Sequence, residues 1–225
     1  MWVQVDEQFI QSGMIIGVVY IPPENTIYSN IEMFDILENQ LISLSDICQS
    51  ICILGDFNAR TKDTTDLIMF DHHVIDMSHE YARNMIINEV LIEESGIPIV
   101  RSSLDEERNN YGDRLLSFCS NMGLLLANGR CGVDKGIGRF TCNNVSVIDY
   151  VIVTTDVMVN ISSFEVLPFC NLLSDKHNPI DLSINLVSNT TCNDNYDVTQ
   201  SHYNKSTHDV IKWKSNKKDK FVLML

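Results

Sequence analysis

Residues 51–60 read ICILGDFNAR, and this decapeptide constrains the fold more than any other stretch of the chain. Its four leading apolar residues, Ile51, Cys52, Ile53 and Leu54, read as a short buried strand. The run stops at Gly55, and Asp56 and Asn58 follow two positions apart. A strand's period of two would point those two side chains the same way from its carboxyl end. A carboxylate and a carboxamide set side by side can bind and orient a water against a phosphate group. Asp56 would accept the water's proton, while Asn58 would donate to the water or to a phosphate oxygen. Gly, Asp and Asn are also the residues that turns prefer, so a plain strand-to-turn junction is the competing reading.

Three further segments bear on that choice. Met14 to Tyr20 is an apolar strand pattern ending on Tyr20 and followed by Ile21, Pro22 and Pro23, a proline stop. Residues 146–153, SVIDYVIV, form a β-branched run with Asp149 embedded in it. A carboxylate there is costly unless paired, so Asp149 should have a cationic or donor partner. Residues 172–184, LLSDKHNPIDLSI, supply Asp175 and His177 at a strand entrance. Asp149 and His177 make the obvious pair, a carboxylate that fixes the imidazole's tautomer and favours its protonated form.

Taken in order, GVVYIPP, GDFNAR, NNYGDRLLSFCSNMGLLLANGR, GRFTC, SVIDYVIV and LSDKHNPI resemble the endonuclease/exonuclease/phosphatase superfamily, and most of all the endonuclease domain of non-LTR retrotransposons. The likeness covers about residues 1–187. It implies a deoxyribonuclease-like four-layer α/β sandwich and a Mg²⁺- or Mn²⁺-dependent phosphodiesterase that nicks DNA. By the same resemblance Tyr20 would contact the scissile phosphate, Asp56 would position or deprotonate the attacking water, and Asn58 would stand beside it. Thr141 would shape the substrate-facing surface, Asp149 would orient His177, His177 would bind the phosphate, and Asp175 would lie near the metal. Structural alternatives stand beside these roles: Tyr20 as a strand tyrosine covering an edge, Thr141 as an ordinary β-former. The resemblance further implies an intracellular, and in the nucleus DNA-directed, protein with a downstream reverse transcriptase region. A catalytically dead remnant of the fold and a small-molecule phosphoesterase are the alternatives.

Two departures qualify the likeness. The superfamily opens with a strand carrying an Asn and another ending in a Glu that is the main metal ligand, and neither is recognisable here. Met1 to Val5 reads as a middle strand, and Asp6 and Glu7 sit on a hairpin-like segment in the wrong place for that Glu. The expectation is a domain lacking roughly its first third. In addition, Lys176 separates Asp175 from His177 where many relatives have them adjacent. One inserted residue reverses the faces in an extended segment, so both keep their roles only across a bulge or turn.

The rest of the chain supports a globular α/β body. Hydrophobic residues make up 44 % of the 225, enough for one sizeable core. Residues 31–44 and 111–126 repeat apolar positions at helical spacing, the second ending near Gly123, and residues 82–94 read as a further helix. No apolar run approaches the ~20 residues of a membrane span. The seven cysteines show no paired zinc spacing and read as reduced, buried thiols. Residues 61–80 hold Asp63, Asp66, Asp71, His72, His73, Asp76 and His79 at spacings that fit no defined metal site, and read as a solvated loop. Residues 188–225 turn polar and then Lys-rich, the pattern of a disordered linker. A net charge of −14 argues against a general nucleic-acid binder unless Arg60, Arg101, Arg108, Arg114, Arg130 and Arg139 cluster.

Overall fold

Apolar alternation along the sequence sorts directly into layers. The computed structural model describes residues 1–5, 13–30, 32–67 and 88–185. Its elements run β1 (Trp2–Val5), β2 (Met14–Tyr20), α1 (Glu32–Ser45), β3 (Ile51–Asp56), α2 (Asn110–Met122), β4 (Leu125–Leu126), β5 (Asp149–Val153), α3 (Thr155–Val159), β6 (Ile161–Val166) and β7 (Ile180–Ile184). A short 3-10 turn covers Gly132–Asp134, and residues 88–94 are helical. The fold is mixed α/β. A five-stranded sheet has the order β1-β2-β3-β5-β4, and a second, two-stranded sheet pairs β6 with β7. Within the larger sheet β2 and β3 are parallel, joined through α1, while β1, β4 and β5 pair antiparallel with their neighbours.

The period of two divides the large sheet into two apolar faces. Ile15, Ile51, Ile53, Tyr150 and Ile152 share one cluster with Phe34, Leu37 and Leu41 of α1 and with Tyr111, Leu115, Phe118 and Cys119 of α2. Cys52, Val151 and Val153 lie in the other, with Phe164 and Val166 of β6 and with Val157 and Met158 of α3. The helix pair thus covers one face and the small sheet covers the other. Both helices form where their periodicity puts them. On α1 the buried residues recur at three- and four-residue spacing, and Phe34 meets the ring of Tyr111 edge-on at 5.5 Å. Helix α2 ends at Gly123 in the left-handed conformation (φ 65°), with Gly123 N–H and Leu124 N–H both donating to the Cys119 carbonyl.

Several sequence expectations change at this level. Asp149 opens β5 instead of lying inside it, because the lead-in residues Ser146 to Ile148 are held by other segments. Asp66 is not solvated: it is 1 % exposed and holds a bidentate ion pair with Arg130 at 2.5 and 2.6 Å. The arginines do not gather on one surface. Arg101 and Arg130 are buried, Arg60 pairs with Asp105 and Glu107, Arg108 with Asp113, and Arg139 with Asp134. Among the described residues the six cysteines are free thiols, five of them buried, and no helix is long and apolar enough to cross a membrane. Asp6, Glu7, residues 71–80, the first part of the 82–94 helix and the 188–225 linker lie outside the described residues.

Candidate active site

Register brings the site together. Tyr20 pairs with Asp56 across β2 and β3, and Asp56 pairs with Asp149 across β3 and β5. Since β5 runs antiparallel, its first residue falls at the same end of the sheet as the last residues of β2 and β3. Alternation gives Asp56 the parity of Cys52, and Asp149 that of Val151 and Val153, so both carboxylates face the side of the small sheet. The chain leading into β7 crosses that end and supplies His177. Its Nδ1 lies 2.9 Å from Asp149 Oδ2 and 3.1 Å from Oδ1, the pairing that the buried carboxylate demanded. Tyr20, at 62 % exposure, stands open to solvent beside them.

Lys176 is absorbed by a turn. Ser174 Oγ accepts from Lys176 N at 3.2 Å and from His177 N at 2.9 Å, so the segment bends at residues 175–176 before Cys142 and His177 form an antiparallel bridge. His177 keeps its place on Asp149, while Asp175 is exposed and lies outside the group that Asp56, Asp149 and His177 form.

Asn58 reaches the site by a different route from the one its spacing suggests. β3 ends at Asp56, Phe57 is buried with its N–H on the Ile148 carbonyl, and Asn58 adopts the left-handed conformation at φ 48°. Its N–H donates to Asp56 Oδ1 at 2.9 Å, and its Nδ2 donates to the Ile21 carbonyl at 2.8 Å. The turn reading holds for this segment: the turn bonds the Asp56 carboxylate and fixes its direction. The sharpness of the strand end depends on Gly55, whose φ is 151° and where a Cβ would fall 1.8 Å from the Val19 carbonyl oxygen.

Thr141 is wholly buried, at 0 % exposure, so it does not form the substrate-facing surface its motif suggested. Its Oγ1 accepts from the N–H groups of Ile148 and Asp149, both at 3.0 Å, and its carbonyl accepts from Asn178 N at 2.7 Å. It ties the start of β5 to the segment carrying His177. Sequence spacing also passed over Asp105, which accepts from Arg60 Nε at 2.9 Å and Nη2 at 2.6 Å and from Val147 N at 2.9 Å. Nothing in local spacing links residues 45 positions apart, though the acid-rich LDEER stretch is the only trace of it.

The electrostatics follow from this packing. Burial pushes the Asp56 carboxyl up to about 6, with the nearby Asp149 charge adding to the rise and the Asn58 N–H opposing it. Burial likewise raises Asp149, against hydrogen bonds from His177 and Thr141. For His177 burial disfavours the charged ring, but the Asp149 hydrogen bond and charge outweigh it, and its pKa is raised. A base poised near neutrality thus stands beside an imidazole biased toward its cation.

Ligand atoms of Asp56, Asp149 and His177 all lie within 4.8 Å of one another. Among the described residues this is a group that could hold a cation, and its hard donors are the oxygens of Asp56 and Asp149. His177 Nδ1 is taken by Asp149, so the ring could turn only Nε2 toward a metal. No protein-family model matches the chain, and no curated protein matches its sequence.

Proposed function

We propose that the chain is a phosphodiesterase-type domain of the endonuclease/exonuclease/phosphatase kind, a DNA-nicking endonuclease domain like those of non-LTR retrotransposons. The single observation that carries the reading is the register row Tyr20–Asp56–Asp149 with His177 on Asp149. The two packed sheets with helices on one face are consistent with a deoxyribonuclease-like sandwich, and the four-layer form is part of this proposal.

In this reading a phosphodiester sits over the row with Tyr20 and His177 toward its non-bridging oxygens. Asp56, ionised above pH ~6, takes the proton of a water attacking phosphorus, while the neighbouring turn holds its Oδ1 through the Asn58 N–H. The His177 cation, held by Asp149, donates to the phosphoryl oxygen on which charge develops, the P–O bond to the leaving alcohol breaks, and the departing oxygen takes its proton from solvent. The Mg²⁺ or Mn²⁺ that the resemblance implies would be held by the carboxylates of Asp56 and Asp149, and would supply positive charge against the charge developing on phosphorus. Among the described residues Arg60, Arg108, Arg130 and Arg139 are committed to internal ion pairs and offer little to hold a polyanion.

Hydrolysis of an activated aryl phosphodiester tests this. Asp56→Asn and His177→Ala should each lower the rate by about 10² or more, and the double variant should be no worse than either, because both groups act in one transition state. Equal rates in wild type and both variants would overturn the assignment and leave the site as an inert relic of the fold.

A further inference from the structure

Asn109 does more than cap a helix. Its Oδ1 accepts from Gly112 N at 2.8 Å, the bond expected of an N-cap, and also from Arg60 N at 2.8 Å. Its Nδ2 donates to the Asn58 carbonyl at 3.0 Å, and its own N–H donates to the Arg60 carbonyl at 3.0 Å. Residues 58–60 are therefore held by the side chain and the backbone N–H of one residue at the start of α2. The approach is close enough that a Cβ at Gly112 would fall 1.9 Å from the Arg60 carbonyl oxygen, so the sequence uses glycine there. The same loop holds Asn58 in its left-handed conformation, from which the Asn58 N–H reaches Asp56.

We propose that Asn109 is a positioning residue: its Nδ2 bond to the Asn58 carbonyl holds the turn that aims the Asp56 carboxylate. The catalytic half of this statement rests on the function proposed above, and the geometric half does not. A helix cap needs only an acceptor, and aspartate supplies one as well as asparagine does. The Nδ2 donor is surplus to capping, and it is spent on the loop that ends in the site.

Asn109→Asp separates the two roles in the full chain. It keeps the acceptor for Gly112 N and Arg60 N and removes the donor to Asn58. The expected result is a fall in kcat of about tenfold on an aryl phosphodiester with KM unchanged. Amide exchange measured by NMR should become about tenfold faster at the Asn58 N–H, with the amides of α2 unchanged. Asn109→Ser, which also caps, should behave the same way and guards against a folding defect of the aspartate. Wild-type kcat and wild-type Asn58 exchange in both variants would overturn the inference while leaving the proposed function standing. Faster Asn58 exchange in a protein whose wild type hydrolyses nothing would uphold the positioning geometry and retire the functional reading.

Discussion

Asp56 sits in an environment that favours its neutral form, since burial lifts its pKa from 3.8 to about 6. The consequence for stability has a definite sign. A carboxyl whose folded pKa lies above its unfolded value contributes stability below pH ~3.8, and that contribution is lost as pH rises through about 6. Asp56→Asn should therefore be more stable than wild type at pH 8, by about 1–2 kcal/mol once partial exposure is discounted, with the difference closing toward pH 4. Thermal melts of the two proteins between pH 4 and 8 check this, and a variant that melts lower at pH 8 would count against a strained carboxylate. His177 runs the other way: its raised pKa contributes stability below its ordinary 6.5, lost as pH rises through the folded value. At this scale the sequence was informative where an isolated cost demanded a partner. Asp149 among β-branched residues had to be paired, and His177 was the nearest cation in kind. Asn58 was harder to read because its direction depended on where β3 stopped, which the Gly55 backbone and the Ile21 carbonyl decide together.

Helices α1 and α2 follow from periodicity, since each has one face to bury, and strands β2 and β3 from short apolar runs, since both of their faces are buried. What periodicity does not carry is how loops are stitched to them. Arg130 uses all of its guanidinium donors within the interior: Nη1 and Nη2 reach Asp66 at 2.6 and 2.5 Å, and the Pro98, Ile99 and Leu126 carbonyls take the rest. Asp66 in turn accepts from Leu126 N at 2.6 Å, so one ion pair joins the loop after β3, the segment at 98–99 and β4. Spacing along residues 61–80 made Asp66 look solvated because its partner lies 64 positions away. Removing one partner strands a buried charge, so Asp66→Ala or Arg130→Met should each cost about 3–5 kcal/mol. Replacing both together with apolar residues should cost clearly less than the two single changes added. Urea unfolding of the four proteins measures this; simple additivity would show that the pair is not the stitch described here.

Across the whole molecule, charge and architecture set limits on binding. The chain carries −14, and apart from the exposed Arg114 the arginines considered above are buried or paired with acids. Duplex DNA binding by the isolated chain should accordingly be weak, with log K against log salt falling with a slope of about −1 to −2, the signature of one or two phosphate contacts. Fluorescence anisotropy across a salt series reads the slope, and a value steeper than about −5 would reveal an extended basic surface. The proposed function asks less than DNA binding, only that Asp56, aligned with Tyr20 and Asp149 beside His177, act as the base of a phosphodiester site. The pH–rate profile of aryl phosphodiester hydrolysis, wild type against Asp56→Asn, tests it most directly. The account predicts an acid limb in the wild type that rises with an apparent pKa near 6 and is missing from the variant. A flat wild-type profile, or the same limb in both proteins, would contradict it.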